Sequence, residues 1–299
     1  MLTACDSGAV RPAAKLTPQS PTSALATIFP ATASPSPVGL GACPTVQPFA
    51  SLPVFARTDL SPDDLLAPSD GSLWVSDPVG GSIEHLAADG RVLARIADNR
   101  APEGMVPVGT SVVLAEQGPN RLVRFAPPAE ARTTLLTLPS RGNLEGVDGI
   151  GLDSAGGRLL IPDSPHGTLV TSATDGTHEL TVASGLGRDV AAAIGPDGAI
   201  WVAVEGNHGL WRIPTAGGAP VPVGAGLAQL DDVITVGSLL YATLLVAGEV
   251  VAVDPGTGAS RVLARGIGAP QGLALLAGGR LAVADSNTHV IATLAACGT

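Results

Sequence analysis

Acidic side chains recur along this chain in one setting, at the start of an apolar run that is followed by a Gly-containing turn. Successive copies are 40 to 45 residues apart, and their leading residues are Asp63, Glu103, Asp148, Asp189, Asp231 and Gln271. If these side chains converge, the five carboxylates repel one another, and the protein must bind a cation, take up protons or point some of the acids away from the channel. Oxygen ligands without Cys or His favour Ca²⁺ or Mg²⁺ over Zn²⁺.

The elements that must position these acids repeat with the same period. In the fourth copy an inner strand starts at Asp189, a Gly-Pro-Asp-Gly turn follows at 195–198, and further short strands precede the next copy. A period near 40 residues with several short strands per copy is typical of the blades of a β-propeller. The sequence therefore predicts an all-β, six-bladed propeller over residues 47–299, with the leading residues facing its central channel.

The two ends of the chain complete this prediction. The last copy ends after its third strand, and residues 47–57 form an unassigned strand upstream of the first copy. We expect this N-terminal strand to pair with residues 289–296 in the last blade, because a closed ring leaves no open sheet edge. That pairing brings Cys43 next to Cys297, and a disulfide between them would indicate an oxidising compartment. Two free thiols are the alternative.

Composition excludes several classes of function. The chain carries 16 Lys and Arg residues against 26 Asp and Glu residues, a formal net charge of −10. It has no basic cluster that could neutralise phosphates, which argues against nucleic acid as a partner. The five His residues show no zinc-binding spacing, and no Gly-x-Ser-x-Gly nucleophile motif occurs. We expect a monomer that binds a small molecule or a protein partner.

The amino terminus has a different character. Residues 2–5, "LTAC", resemble the lipobox of bacterial lipoproteins, in which the cysteine is lipidated. Residues 6–42 are rich in Ser, Thr, Pro and Ala, a composition that cannot build a core and indicates a flexible tether. We therefore predict a lipobox-like start and a disordered tether over residues 1–46, with a lipid on Cys5 as the contact to a membrane outside the cytoplasm. A chance match of so short a motif is the alternative.

Several strings of the chain resemble known propeller families. Residues 283–291, "VADSNTHVI", resemble the core of NHL repeats. Residues 102–105, "PEGM", with 113–125, "VLAEQGPNRLVRF", resemble the senescence-marker-protein and gluconolactonase family. Residues 197–213, "DGAIWVAVEGNHGLWRI", are similar to streptogramin lyases. The likeness extends over residues 47–297 and implies the same six-bladed fold.

The gluconolactonase resemblance also implies a metal site. In that family the ligands come from the position of the leading acids, as a Glu before Gly-Pro, an Asn before Gly and an Asp before Gly. Glu103 and Asp148 each stand before Gly and match two of these ligands, whereas Met105 replaces the Pro and the nearest amide is Gln271. We predict Asp63, the leading residue of the first copy, as a third ligand.

Functions of different classes remain open at this point. One is an extracytoplasmic binding module with a cation in its channel, and the aromatic content of 3% favours it because sugar-binding clefts usually carry stacking rings. The other is a metal-dependent hydrolase of the lactonase type, in which the cation polarises an ester carbonyl and Asp189 or Asp231 acts as general base. A streptogramin-type lyase that uses His208 near Glu205, or His289, is a weaker third interpretation.

Overall fold

The sequence repeat folds into six sheets that form the blades of a propeller. The computed structural model describes residues 38–142, 145–206, 209–214 and 218–298. Five of the sheets contain four strands and one contains five. The predicted all-β, six-bladed architecture is confirmed.

The strands are numbered here in chain order. Before the first blade lie β1 (Gln47–Pro48) and β2 (Val54–Arg57), with short 3-10 turns at Leu40–Ala42 and Phe49–Ser51. Blades 1 and 2 contain β3 (Leu65–Leu66), β4 (Leu73–Asp77), β5 (Ser82–Leu86), β6 (Val92–Ala97), β7 (Pro102–Val108), β8 (Ser111–Glu116), β9 (Arg121–Phe125) and β10 (Thr133–Thr137). Blades 3 and 4 contain β11 (Gly151–Asp153), β12 (Arg158–Asp163), β13 (Thr168–Ala173), β14 (Leu180–Ser184), β15 (Arg188–Ile194), β16 (Ile200–Glu205), β17 (Leu210–Ile213) and β18 (Val221–Val223). Blades 5 and 6 contain β19 (Leu230–Val236), β20 (Leu239–Leu244), β21 (Glu249–Val253), β22 (Ser260–Arg265), β23 (Pro270–Leu275), β24 (Arg280–Asp285) and β25 (Val290–Ala295).

Burial decreases from the second strand of a blade to its outer edge. Every residue of β4 and of β20 is buried, whereas β6, an outer strand, exposes all but one of its residues. Uninterrupted apolar runs therefore belong to strands that are covered on both faces by neighbouring blades. The turns between strands use glycine where a positive φ is required, as at Gly198, whose φ is 76° and whose N–H donates to the carbonyl of Gly195.

The N-terminal segment pairs with two blades. Strand β2 lies antiparallel to β25 as the outermost strand of blade 6, and β1 lies parallel to β22 of blade 5. The single strand expected over residues 47–57 is therefore divided into two by the 3-10 turn at Phe49–Ser51. Proline explains the division, because Pro48 and Pro53 have no N–H to donate to a ladder.

The predicted disulfide between Cys43 and Cys297 is present and buried, and it joins residues 254 positions apart. Next to it, the backbone N–H of Cys297 donates to the hydroxyl of Tyr241 at 2.9 Å. The chain just before Cys43 packs on blade 5 as well, where Ser238 donates to the carbonyl of Val38 at 2.7 Å. Residues 1–37, which include Cys5 and most of the predicted tether, lie outside the described residues.

No helical segment in the described ranges has the length and apolar character of a membrane span.

We expect loss of the disulfide to lower the free energy of unfolding by about 5 kcal/mol, because the cross-link restricts a very long loop in the unfolded chain. The measurement is urea unfolding of the Cys43→Ser, Cys297→Ser double variant against wild type. Cys5→Ser is the matched control, since it removes a cysteine without removing this cross-link. Equal stability of the double variant and the wild type would show that the disulfide does not hold the ring closed.

Candidate metal centre

The starts of the inner strands surround one end of the central channel, where a cleft of about 460 Å³ opens. The cleft brings together four of the predicted site residues, Asp63, Glu103, Asp148 and Asp231. The other polar side chains that line it are those of Gln117, Glu145, Arg188, Glu205 and Gln271.

Four of the channel carboxylates are close enough to share one cation. Asp63, Asp64, Glu103 and Asp148 each offer a carboxylate oxygen, and these oxygens all lie within 4.8 Å of one another. Calcium–oxygen bonds are about 2.3–2.6 Å long, so two ligands on opposite sides of the ion are separated by about this distance. The cluster therefore has the dimensions and the oxygen chemistry of a divalent cation site.

Glycine after the acid allows the inner strands to approach this closely. A Cβ on Gly104 would lie 2.4 Å from the backbone nitrogen of Ile150, and one on Gly272 would lie 2.7 Å from the carbonyl oxygen of Asp63. The same glycines join adjacent blades, since Gly104 N–H donates to the carbonyl of Asp148 at 3.2 Å and Gly272 N–H donates to that of Asp63 at 3.1 Å. The acid-before-Gly motif therefore has a structural cause, because a larger residue would push neighbouring blades apart.

Burial strongly disfavours the charged form of these acids. Burial, reinforced by the charge of Asp148, raises the pKa of Asp63 to about 8. Burial raises the pKa of Asp148 to about 7, even though the nearby Arg188 acts in the opposite direction. Burial and the neighbouring carboxylates also hold the pKa values of Asp64, Glu103 and Asp231 well above their ordinary range. In the absence of a cation, burial and mutual repulsion therefore favour the protonated form of these acids.

Hydrogen bonds satisfy only part of the cluster. Gln271 Nε2 donates to Asp63 Oδ2 at 3.2 Å. Glu103 Oε2 and Gln271 Oε1 are buried without a hydrogen-bond partner. Buried polar atoms normally have a partner, and unpartnered oxygens beside three further carboxylates are suited to a cation.

Two of the leading acids are followed directly by a second acid, in the pairs Asp63-Asp64 and Asp231-Asp232. The second residue of each pair lies toward the opposite end of the channel. Asp64 and Asp232 line a second cleft of about 330 Å³ there. Asp232 is held by backbone donors, since its carboxylate accepts from the N–H of Leu273 at 2.6 Å and from that of Val233 at 2.7 Å. Burial still raises its pKa, to about 6. Sequence reasoning missed Asp64 as a member of the carboxylate cluster, and the signal was the doubled acid at positions 63 and 64.

Blade 4 departs from the predicted ring of leading residues. Asp189 is fully buried and does not line the cleft, and neither of its carboxylate oxygens has a hydrogen-bond partner. Burial raises its pKa to about 8, against the opposing effect of nearby backbone N–H groups. From the inner strand of this blade it is Arg188 that lines the cleft, and Glu205 at the end of the neighbouring strand β16 lines it as well. Arg188 Nη2 donates to Glu145 at 2.7 Å and to Asp148 at 3.0 Å, and Arg188 Nη1 pairs with Glu205.

Asp189 differs from three other leading residues in its strand pairing. In blades 2, 5 and 6 the leading residues Glu103, Asp231 and Gln271 fall inside the register shift between the inner strand and its neighbour. In blade 4, Asp189 pairs with Val204 and the shift begins only after it. The pleat of the strand fixes the direction of a side chain that belongs to the ladder, whereas a residue inside a bulge can be directed toward the channel.

Of the two histidines considered for a lyase, the structure describes His289. His289 contacts the backbone carbonyl of Leu60 and does not line the cleft. His208 lies outside the described residues. Glu205 does line the cleft, but it is paired with Arg188.

Comparison with solved structures places this fold among six-bladed propellers. A catalytically inactive virginiamycin B lyase from Staphylococcus aureus with quinupristin is 18% identical, with 79% of this chain and 80% of that chain covered and a TM-score of 0.61. The calcium-binding protein regucalcin from Agrobacterium tumefaciens is 15% identical, with coverages of 84% and 95% and a TM-score of 0.69. A chain of a nidogen/laminin complex is 19% identical, with coverages of 75% and 85% and a TM-score of 0.63.

The chain matches no protein-family model and no curated protein sequence. At these identities the structural likeness establishes the class of protein, a six-bladed β-propeller, and the fold that the sequence resemblances implied is confirmed.

The raised pKa values predict how the stability of the cation-free protein depends on pH. The folded state binds protons more tightly than the unfolded chain, so stability is lost as the pH rises from 3.8, the ordinary pKa of an aspartate, toward about 8, the pKa of Asp63 in the folded protein. Thermal melts in the presence of chelator should therefore show a melting temperature that falls across this interval. Asp63→Asn with Asp148→Asn should flatten the dependence, and an identical slope in the variant would contradict the assignment to these acids.

Proposed function

We propose that this protein is an extracytoplasmic binding module whose central channel holds a divalent cation, Ca²⁺ or Mg²⁺, beneath a cleft for a small ligand. The observation that carries the proposal is the set of carboxylate oxygens of Asp63, Asp64, Glu103 and Asp148 within 4.8 Å of one another. The buried and unpartnered Glu103 Oε2 supports it, because a cation would satisfy that oxygen.

The cation would compensate the charge that the fold concentrates in the channel. Asp63, Asp64, Glu103 and Asp148 would bind it directly, and Asp231 lines the same cleft. Hard oxygen ligands suit Ca²⁺ and Mg²⁺, and binding would displace the protons that the acids otherwise hold. Oxygen atoms of a ligand in the cleft can complete the coordination shell.

The rim of the cleft supports a ligand with both polar and apolar parts. Pro78, Val79, Ala101 and Leu245 contribute apolar surface to the lining. Val79 is 84% exposed, so its side chain is available for contact. A volume of about 460 Å³ lies within the range of small-molecule sites, about 300–1,000 Å³. A small ligand would place an oxygen-bearing end toward the cation and its apolar part against this rim.

A location outside the cytoplasm is supported by the Cys43–Cys297 disulfide, since disulfides persist in oxidising compartments. Lipidation of Cys5 and a tether that holds the propeller off a membrane stay predictions from the sequence. In this proposal the propeller contacts the membrane only through that lipid.

A metal-dependent hydrolase of the lactonase type is the second candidate, and the position of Asp231 is the observation that favours it. Asp231 lines the cleft beside the cation cluster, where a general base would be needed. The binding module is favoured over it for two reasons. Asp189, the other predicted base, does not line the cleft, and burial raises the pKa of Asp231, which disfavours the ionised form that a base requires. The fold is similar to that of a virginiamycin B lyase, but no histidine is among the described residues that line the cleft.

The cation should stabilise the folded protein. A cation concentration about 100-fold above Kd increases the free energy of unfolding by about 2.7 kcal/mol. This raises the melting temperature of a domain of this size by about 5–10 °C. Thermal melts with chelator, Ca²⁺ or Mg²⁺ measure this shift, and Glu103→Gln with Asp148→Asn should abolish it. Asp89→Asn with Glu130→Gln, at exposed positions, is the matched control and should keep the shift. A wild-type protein that no divalent cation stabilises would overturn the proposed function.

The binding module and the lactonase-type hydrolase differ in whether the protein turns over a substrate. For a binding module we expect no hydrolysis when a panel of lactones is incubated with the cation-loaded protein and lactone opening is followed by proton release. Cation-dependent hydrolysis that falls by about 10²–10⁴-fold in Asp231→Asn would instead establish the hydrolase. The Ca²⁺-dependent thermal shift of that variant is the control for an intact site.

A further inference from the structure

Arg188 lies where a second positive charge would compete with the proposed cation. Among the described residues that line the cleft, it contributes the basic side chain. Its guanidinium donates to Asp148 at 3.0 Å, and Asp148 also belongs to the cluster of four cation-ligating carboxylates. Arginine stays protonated at every accessible pH, so this positive charge is permanent.

The surroundings of Arg188 give its guanidinium an alternative set of partners. It also contacts Glu145, at 2.7 Å, and Glu205. Neither of these carboxylates is part of the four-residue cluster. The side chain of Glu145 is 65% exposed and that of Glu205 is 21% exposed, so both lie toward the solvent side of the buried cluster. If Arg188 released Asp148, Glu145 and Glu205 would still compensate the positive charge of Arg188.

We propose that Arg188 is a built-in competitor of the divalent cation, which occupies Asp148 when the channel is empty and withdraws to Glu145 and Glu205 when the cation binds. This inference rests on the proposed function, because it concerns the same channel. Arg188 is a positioning residue in this scheme and does not ligate the cation.

The competition would set the cation affinity of the channel. A cation must displace the guanidinium from Asp148 and then tolerate a positive charge close to it, and both effects weaken binding. Weak sites, with Kd values of about 10⁻⁴–10⁻³ M, are typical of extracellular calcium modules.

The test compares Ca²⁺ binding by Arg188→Met and wild type, by calorimetric titration of the full-length proteins in one buffer at one pH. We expect the variant to bind at least about tenfold more tightly. Arg212→Met is the matched control, because Arg212 lies in the same blade and pairs with Asp197 at 2.7 Å, away from the residues that line the cleft. It removes the same charge from the protein and should leave the affinity unchanged.

Arg188→Lys provides a second test if Arg188→Met does not fold. Lysine keeps the charge but lacks the planar fork that reaches several carboxylates at once, and we expect a smaller increase in affinity. Binding by Arg188→Met but not by wild type would overturn the proposed function, and with it the inference, which requires the wild-type channel to exchange Arg188 for the cation. Equal or weaker binding by the Arg188 variants, with binding by wild type, would overturn the inference alone. Absence of binding in wild type and variants would overturn the proposed function as well.

Discussion

Repulsion between buried carboxylates is the constraint to which the centre of this propeller is adapted. Inner strands that converge on one axis bring the oxygens of Asp63, Asp64, Glu103 and Asp148 within 4.8 Å of one another. Like charges at this distance in a buried site cannot all be ionised without a counter-charge. Gln271 donates a single hydrogen bond to Asp63, and Arg188 compensates Asp148 from one side. These contacts reduce the repulsion only in part, which leaves room for a cation or for protons.

The backbone makes this concentration of charge unavoidable. Gly104 and Gly272 let adjacent inner strands touch, and their N–H groups bond to the carbonyls of acidic residues in the neighbouring blade. The closed ring then prevents the blades from separating, because Cys43 and Cys297 join the two ends of the described chain. An arrangement of this kind is preorganised, so a cation would meet ligands that are already close together.

Acids elsewhere in the repeat have a different role, although they recur with the same period. At the ends of second strands, Asp77 accepts from the N–H of Gly80 at 2.6 Å, and Asp285 accepts from the N–H of Ala269 at 2.8 Å. Glu116 is fully buried and pairs with Arg121 at 2.5 Å. Backbone donors and arginines satisfy these carboxylates, whereas those of the channel face one another. Periodicity alone therefore does not distinguish an acid that stabilises a turn from one that can bind a cation.

Several features of this protein follow from the sequence by itself, because they depend on local geometry and on the period of the repeat. These are the six blades, the pairing of Cys43 with Cys297, and the convergence of Asp63, Glu103, Asp148 and Asp231. Only the tertiary structure decided that Arg188 and not Asp189 enters the cleft, since this depends on the pairing of β15 with β16, in which Asp189 belongs to the ladder opposite Val204.

Two further features also required the tertiary structure. Asp64 and Asp63 belong to the same cluster although they are adjacent in sequence. In an ideal strand, adjacent side chains point to opposite faces of the sheet. Strand β1 pairs with blade 5 rather than extending β2, because prolines interrupt the segment and leave its first part to the nearest open edge. Both outcomes depend on where neighbouring blades lie in space, and that information is absent from any single stretch of the chain.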